Sequence, residues 1–151
     1  MNQETRIAIG CDHAAVAFKG ELADFLRELG YEPVDCGCQE GCEAVDYPDI
    51  AEAVCGRITA GDCRTGVLVC GTGIGMSMAA NKLPGIRAAL CENCFSARYT
   101  RLHNDANVIC FGARTMGPEL AKELLRIFLE SEFMGGRHQR RVEKIEALRQ
   151  R

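Results

Sequence analysis

A cysteine followed by a glycine-rich loop lies near the middle of the chain. Residues 65–81 form a short apolar run that ends in Cys70, a loop with Gly71, Gly73 and Gly75, and a helix-favouring segment. Backbone N–H groups in such a loop can bind an oxyanion or a phosphate. A thiol beside a helix N-terminus is favoured as the thiolate. Cys70 is therefore a candidate base or nucleophile, although an ordinary buried strand cysteine gives the same local pattern.

The three histidines of the chain all lie in polar segments. His13 follows Asp12 at the end of an apolar run, His103 precedes Asn104, and His138 lies in a basic segment. Histidines in such contexts are more typical of acid–base or binding sites than of a packed core.

Two arginines near the C-terminus form a candidate phosphate site. Arg137 and Arg141 are one helical turn apart, at the start of a helical pattern that follows Gly135 and Gly136. Guanidinium groups match phosphate geometry, and a helix N-terminus adds amide donors. The alternative is a solvated basic helix face, which would be the default without the two glycines and His138.

Length and composition indicate one soluble domain over residues 1–151. The chain has 47% hydrophobic and 26% charged residues and a net charge of −3, so no global field attracts nucleic acid or an anionic membrane. We expect no nucleic-acid and no membrane partner. No apolar stretch is long enough to span a bilayer, and the start lacks the apolar segment of a signal peptide. We therefore expect a cytoplasmic protein.

Ten cysteines are many for such a chain, and their scatter favours free thiols in a reducing compartment. Cys36, Cys38 and Cys42 form C-x-C-x3-C, and Cys91 with Cys94 forms C-x-x-C. The first spacing is not that of a usual zinc site, and the two groups are far apart. A zinc-binding or redox protein built on these thiols is one alternative function.

Apolar runs alternate with helical patterns along the chain, which predicts a parallel sheet covered by helices on both faces. We predict a three-layer, doubly wound α/β sandwich of Rossmann-like type, with five parallel strands in the order 2-1-3-4-5. Ligands bind such sheets at the carboxyl ends of the strands, where the strand order reverses. That point brings Asp12 and His13 next to Cys70. The predicted strands are 7–11, 32–36, 67–70, 86–91 and 107–111, and a final basic helix is predicted over about 138–149.

The chain resembles the type B ribose-5-phosphate isomerases, whose larger family includes isomerases of allose 6-phosphate and galactose 6-phosphate. The matching segments are Gly10-Cys11-Asp12-His13, Asp46-Tyr47-Pro48, Cys70-Gly71-Thr72-Gly73-Ile74-Gly75, Ala79-Ala80-Asn81-Lys82, Gly85-Ile86-Arg87-Ala88, His103-Asn104-Asp105, Phe111-Gly112-Ala113-Arg114 and Gly135-Gly136-Arg137-His138-Gln139.

The resemblance implies interconversion of ribose 5-phosphate and ribulose 5-phosphate through an enediolate, with no metal or organic cofactor. Such chemistry needs a base and a site for the developing oxyanion. By resemblance, Cys70 is the base and His103 assists opening of the furanose ring. The backbone of the loop Gly71, Gly73, Ile74 and Gly75, helped by Thr72, would hold the enediolate oxygen. Asp12, His13 and Asn104 would bind the sugar. Arg137 and Arg141 would hold the phosphate, with Arg114 contributing to the site.

The resemblance also implies a homodimer, or a tetramer formed by two dimers, with sites shared between subunits. The final helix, 138–149, is then expected at the dimer interface. His103, Asn104 and Arg114 lie at the ends of strands four and five, away from the predicted switch point. We therefore expect them to serve the partner's site.

Two other functions stay open at this point. An isomerase of allose 6-phosphate or of a related six-carbon sugar phosphate has the same motifs, and pocket length is not readable from sequence. A nucleotide-binding module is the alternative of another class, because Glu92 lies about twenty residues beyond the glycine loop. However, Met76 replaces the last glycine of that pattern, and the loop follows the third strand instead of the first. Cys36, Cys38, Cys42, Cys63 and Cys94 have no assigned role.

Overall fold

The structure is a computed structural model and describes residues 3–148. A short 3-10 helix, Gln3–Thr5, precedes five strands and six α-helices. In chain order these are β1 Arg6–Cys11, α1 Val16–Glu28, β2 Glu32–Asp35, α2 Tyr47–Thr59, β3 Thr65–Cys70, α3 Ile74–Ala80, β4 Ala88–Leu90, α4 Cys94–Asn104, β5 Val108–Gly112, α5 Pro118–Glu130 and α6 Arg137–Ala147.

The five strands form one parallel sheet in the order β2-β1-β3-β5-β4. The predicted class, strand number and direction are confirmed, but the predicted order 2-1-3-4-5 is wrong for the last two strands. β5 has five fully buried residues, whereas β4 has three that are only half-buried. The more buried β5 therefore lies next to β3, and the short β4 is the outermost strand on that side of the sheet.

The core lies on both faces of the sheet, because successive strand residues point to opposite sides. One face packs Ile9 and Val67 against α1, α4 and α5. The other packs Leu68 and Cys110 against α2 and α3. The predicted three layers are thus confirmed.

Along the strand direction the sheet has a carboxyl edge, where the strands end, and an opposite edge, where they begin. These two edges hold different parts of the molecule. The carboxyl ends of β1, β3 and β5 lie at one edge, with Cys70 at the end of β3. α4 returns the chain from β4 to the start of β5, so its last residues lie at the opposite edge. The backbone N–H of Met134 donates to the Leu102 carbonyl at 3.0 Å, which also brings the start of α6 to that opposite edge. At about 3.3 Å per residue, the length of β5 separates the two edges by roughly 16 Å.

The C-terminal helix spans Arg137–Ala147 and packs against α4. The part of the predicted helix at Arg149 lies outside the described residues. Within residues 3–148, no helix combines the length and the apolar character that crossing a membrane requires.

Candidate active site

The Cys70 thiol accepts a hydrogen bond from the loop that follows it. Cys70 is buried, with 5% of its surface exposed, and its Sγ lies 3.1 Å from the backbone N of Gly73. The hydroxyl of Thr72 accepts from the N–H of Ile74 at 3.3 Å. An N–H directed at sulfur stabilises the thiolate. The loop therefore directs a donor at the Cys70 sulfur, although Cys70 packs with the core.

Gly73 cannot be replaced in this loop without moving its neighbours. Its φ of +75° is in the left-handed region that favours glycine. A Cβ at this position would lie 2.7 Å from Leu90 Cδ1 and 2.8 Å from the Phe111 carbonyl carbon. The approach of β4 and β5 thus requires glycine where the loop turns its N–H toward Cys70.

Burial affects the pKa of most other strand and core cysteines. Burial raises the pKa of Cys11 and Cys55 to about 12 and that of Cys91 to about 11. Burial also raises the pKa of Cys110, which is fully enclosed in β5. These thiols stay protonated near neutral pH and have packing roles.

Asp12 and His13 extend from the end of β1 beside Cys70, as predicted from the switch point. The N–H of Asp12 donates to the Val69 carbonyl at 3.3 Å, and its carboxylate accepts from the N–H of Ala14 at 3.0 Å. The exposed His13 accepts the N–H of Val45 on Nδ1 at 3.2 Å. Because Nδ1 is an acceptor, neutral His13 carries its proton on Nε2 and presents a donor there.

Arg114 lies against the glycine loop of its own chain. Its backbone N–H donates to the Gly71 carbonyl at 2.9 Å, and its Cδ and Nη1 lie 3.4 Å from where a Cβ of Gly71 would be. The expectation that Arg114 serves a partner's site rested on the strand order 2-1-3-4-5. With β5 next to β3, Arg114 belongs to the Cys70 group of residues, and that expectation is wrong.

Tyr47 is a site residue that the sequence analysis did not assign. An ideal Cβ on Gly75 would lie 2.5 Å from Tyr47 Cζ and 2.8 Å from its hydroxyl oxygen, so the ring covers the backbone of α3's first turn. Tyr47 begins α2 and is 40% exposed. The available signal was an aromatic residue between Asp46 and Pro48 at a helix start, in one of the matching segments.

Substituting Gly75 with alanine is expected to displace the Tyr47 ring, because the new methyl group overlaps it. We expect the kcat/KM of the site to fall about 10²-fold, as for a misplacement of about 1 Å in a site. Gly56→Ala in α2 is the matched control, since its Cβ meets nothing within 4 Å. The control should keep full activity and gain about 0.5–1 kcal/mol of helix stability. Equal activity of the two variants would contradict the placement of Tyr47.

A second polar group forms where α4 meets α6. The rings of His103 and His138 stack with centroids 4.0 Å apart and an interplanar angle of 11°, and Tyr99 contacts His103 edge-on at 4.8 Å. His138 is buried and His103 half-buried. The sequence favoured all three histidines as acid–base or binding residues over core residues, but it gave His138 no role of its own. Its place beneath His103 depends on the packing of two helices.

The predicted phosphate ligands belong to this second group. Arg137 and Arg141 are both exposed, one turn apart on α6, and Asn104 is exposed at the end of α4. Burial, together with the nearby His103, Arg137 and Arg141, lowers the pKa of His138 below its usual value of 6.5. When His138 is neutral, it adds no positive charge beside Arg137 and Arg141.

The lowered pKa of His138 makes stability depend on pH. The unfolded chain binds this proton more readily than the folded chain, so folding is disfavoured as the pH falls below about 6.5. We expect the Tm to decrease between pH 7 and pH 5.5, and to decrease less in His138→Gln. Thermal melts of both proteins across this range measure the difference. Equal decreases in the Tm of the two proteins would show that protonation of His138 is not linked to folding.

The predicted site residues thus divide into two groups. The thiol group lies at the carboxyl edge and contains Asp12, His13, Cys70 with its loop to Gly75, and Arg114. The imidazole group lies at the opposite edge and contains His103, Asn104, Arg137 and Arg141. A groove of about 630 Å³ near Asn104 is also at this second edge, between α3, α4 and α6. Among residues 3–148, no three His, Cys, Asp or Glu side chains come together as a site for a metal ion.

Comparison with known proteins identifies an isomerase family. The family model described as Ribose/Galactose Isomerase matches residues 7–145. The chain is 46% identical to the ribose-5-phosphate isomerase B of Escherichia coli over 97% of each chain. It is 45% identical to the D-erythrulose-4-phosphate isomerase of Pectobacterium atrosepticum, covering 92% of this chain and 91% of that one.

A solved structure shows the same fold. The ribose-5-phosphate isomerase B of Clostridium thermocellum superposes with a TM-score of 0.93 at 48% identity, covering 96% of this chain and 97% of that one. The family model covers nearly all of the described residues, and the resemblance carried by the glycine loop and the histidine segments is confirmed. The chain belongs to the ribose/galactose isomerase family.

Proposed function

We propose that this protein interconverts ribose 5-phosphate and ribulose 5-phosphate. The observation that carries the proposal is the Cys70 thiol, held by the Gly73 N–H at the end of β3 beside Asp12 and His13. Aldose–ketose isomerisation moves a proton between C2 and C1, and this requires one base with access to both carbons. Relatives that carry the ribose-5-phosphate isomerase name support this substrate.

In the proposed mechanism, Cys70 acts as the base. As a thiolate it takes the proton from C2 of the open-chain aldose, which gives the enediolate with its negative charge on O1. The proton of the C2 hydroxyl passes to O1, and the thiol then returns its proton to C1, which gives the ketose with its carbonyl group at C2. The oxygen that becomes negative is stabilised by backbone N–H groups of the loop, with Thr72. The Gly73 N–H already donates to sulfur, so Gly71 and Gly75 are the loop positions we propose for the oxygen.

The other groups bind or activate the sugar. Asp12 accepts from a hydroxyl group, and His13 donates from Nε2. Arg114, over Gly71, adds a positive charge beside the developing oxyanion. His103 assists ring opening by proton transfer, with Asn104 next to it on the sugar.

Arg137 and Arg141 bind the phosphate in this proposal. Their guanidinium groups are exposed and one helical turn apart, which suits contacts to separate phosphate oxygens. The lowered pKa of His138 favours its neutral form, so this buried ring does not repel the two guanidinium groups beside it.

We propose further that the protein is a homodimer whose sites are shared. The thiol group and the imidazole group lie at opposite edges of one chain, roughly 16 Å apart by strand length, which exceeds the length of a pentose phosphate. A second copy brings its imidazole group to the first copy's thiol group. Exposed apolar side chains around α4 and α6 support an interface there: Phe95 is 70%, Met134 61% and Leu148 62% exposed. The C-terminal helix would pack in this interface.

The isomerase assay with ribose 5-phosphate tests the proposal. Activity should persist with an added chelator, because no step uses a metal ion. Allose 6-phosphate and D-erythrulose 4-phosphate are the alternative substrates, the second because a relative at 45% identity carries that name. A kcat/KM for either that exceeds the value for ribose 5-phosphate would reassign the substrate. Lack of turnover of all three would refute the function.

A cytoplasmic location is part of the proposal. All ten cysteines are free thiols in the structure, and seven of them are buried. Free thiols in this number are typical of a reducing compartment.

A further inference from the structure

Three cysteines that the proposed mechanism does not use follow β2, and the fold divides them. Cys36 packs against the core face formed by α2 and α3, and its thiol donates to the Val34 carbonyl at 3.5 Å. Cys38 and Cys42 pack on the other face of the sheet. The C-x-C-x3-C pattern is therefore one separate thiol and one pair.

A tight turn brings the pair together. The N–H of Cys42 donates to the Gln39 carbonyl at 3.1 Å, and Gly41 has φ +78°, as the third position of a type II turn requires. Across this reversal, Cys42 packs against the same core cluster that contains Cys38. Burial, followed by contact with the Cys42 thiol, raises the pKa of Cys38 to about 11.

The two thiols differ in access and in freedom to move. Cys38 is 5% exposed, its N–H donates to the Cys11 carbonyl at 3.0 Å, and its carbonyl accepts from the buried Lys19, which also pairs with Asp35 at 2.7 Å. Cys42 is half-buried and lines an open cavity of about 390 Å³ with His13. One accessible thiol beside one fixed thiol is the arrangement of an attacking and a resolving cysteine.

We propose that Cys38 and Cys42 are a redox-active dithiol, which a hydroperoxide oxidises to a disulfide. The Cys42 thiolate attacks a peroxide oxygen and breaks the O–O bond. With hydrogen peroxide this gives a sulfenic acid on Cys42 and hydroxide. Cys38, after losing its proton to water, attacks the Cys42 sulfur and displaces a second hydroxide. The two thiols lose two electrons, the peroxide gains them, and the two thiol protons convert both hydroxides to water.

Closing this bond affects the neighbouring sugar site, a consequence that rests on the proposed function. A disulfide holds its two sulfur atoms about 2.05 Å apart, which is much shorter than the distance between two non-bonded sulfur atoms. Cys42 therefore moves toward Cys38 by more than about 1 Å. The segment that begins at Cys42 carries Val45, whose N–H binds His13 Nδ1 at 3.2 Å. Oxidation therefore shifts His13 and weakens sugar-phosphate binding.

The test treats the reduced, full-length protein with hydrogen peroxide and then alkylates the remaining thiols under denaturing conditions. Cleavage after Glu40 and Glu43 separates Cys38 from Cys42, so a disulfide joins two peptides that are otherwise apart. Mass spectrometry with and without dithiothreitol identifies the joined pair. Cys36→Ser leaves Cys38 as the only thiol of its peptide.

We expect the joined peptides in the wild type and in Cys36→Ser, and their absence in Cys42→Ser and Cys38→Ala. After oxidation, KM for ribose 5-phosphate should rise roughly ten-fold in the wild type, recover with dithiothreitol, and stay unchanged in Cys42→Ser. Oxidation of Cys70 affects all variants equally and lowers kcat instead.

Absence of the joined peptides, or their persistence in Cys42→Ser, would overturn the dithiol. Joined peptides with an unchanged KM would overturn the connection to His13. Peptide analysis needs no turnover, so a failed isomerase assay leaves the test of the dithiol intact.

Discussion

Cys70→Ala is expected to lower kcat/KM for ribose 5-phosphate by about 10⁴-fold, the upper range for loss of a general base. The variant removes the acceptor of the C2 proton but leaves the glycine loop and the arginines. Exchange of the C2 proton with solvent deuterium, followed by NMR, should stop as well. Inhibition by inorganic phosphate, measured on the residual activity, should change little.

The matched control is Cys55→Ala, which removes a thiol from the same core face. Burial raises the pKa of Cys55 to about 12, so it is not a base at neutral pH. This variant should lose about 1 kcal/mol of stability, within the usual range for a point mutant, and keep its turnover. A Cys70→Ala protein with turnover near that of the wild type would place the base elsewhere, and Asp12 would then be tested first.

Mixing two inactive variants should restore activity when their defects lie in different groups of residues. Cys70→Ala damages the thiol group, and His103→Ala damages the imidazole group. In a mixed dimer with shared sites, one site receives both defects and the other receives none. Random pairing makes about half of the dimers mixed, so about a quarter of wild-type activity should return.

The structure supplies controls for this experiment in both directions. Arg114 lies against Gly71, so Cys70→Ala mixed with Arg114→Ala puts both defects in the thiol group and should recover nothing. Cys70→Ala mixed with Arg137→Ala should recover, because Arg137 is on α6. Two results would contradict shared sites built from these two groups. One is recovery of activity when Cys70→Ala is mixed with Arg114→Ala. The other is no recovery when Cys70→Ala is mixed with His103→Ala or with Arg137→Ala.

Local patterns were sufficient to predict the parts of the fold that depend on local chemistry. The end of β3 at Cys70, its glycine loop and the neighbourhood of Asp12 and His13 follow from short-range periodicity and turn residues. The pairing of β5 with β3 was not predictable in that way, because it depends on how deeply two strands are buried within the whole sheet. The misplacement of Arg114 followed from that one error.

Other parts of the site depend on contacts between residues distant in sequence. Tyr47 reaches Gly75 only when α2 packs beside α3, and His103 stacks on His138 only where α4 meets α6. The cysteines after β2 are a similar case, since Cys36 and Cys38 are two residues apart in sequence but pack on opposite faces of the sheet. Spacing gives no information about which face receives each side chain there.

The placement of Cys70 and His103 at opposite edges has a consequence for how activity depends on protein concentration. In a shared-site enzyme a separated subunit holds two incomplete halves and converts no substrate. Well below the dimer dissociation constant, the paired fraction is proportional to concentration, so the total rate falls with its square. Substitutions at exposed positions such as Phe95 should therefore lower the rate at nanomolar protein and leave it unchanged at high protein, although no reacting atom is touched.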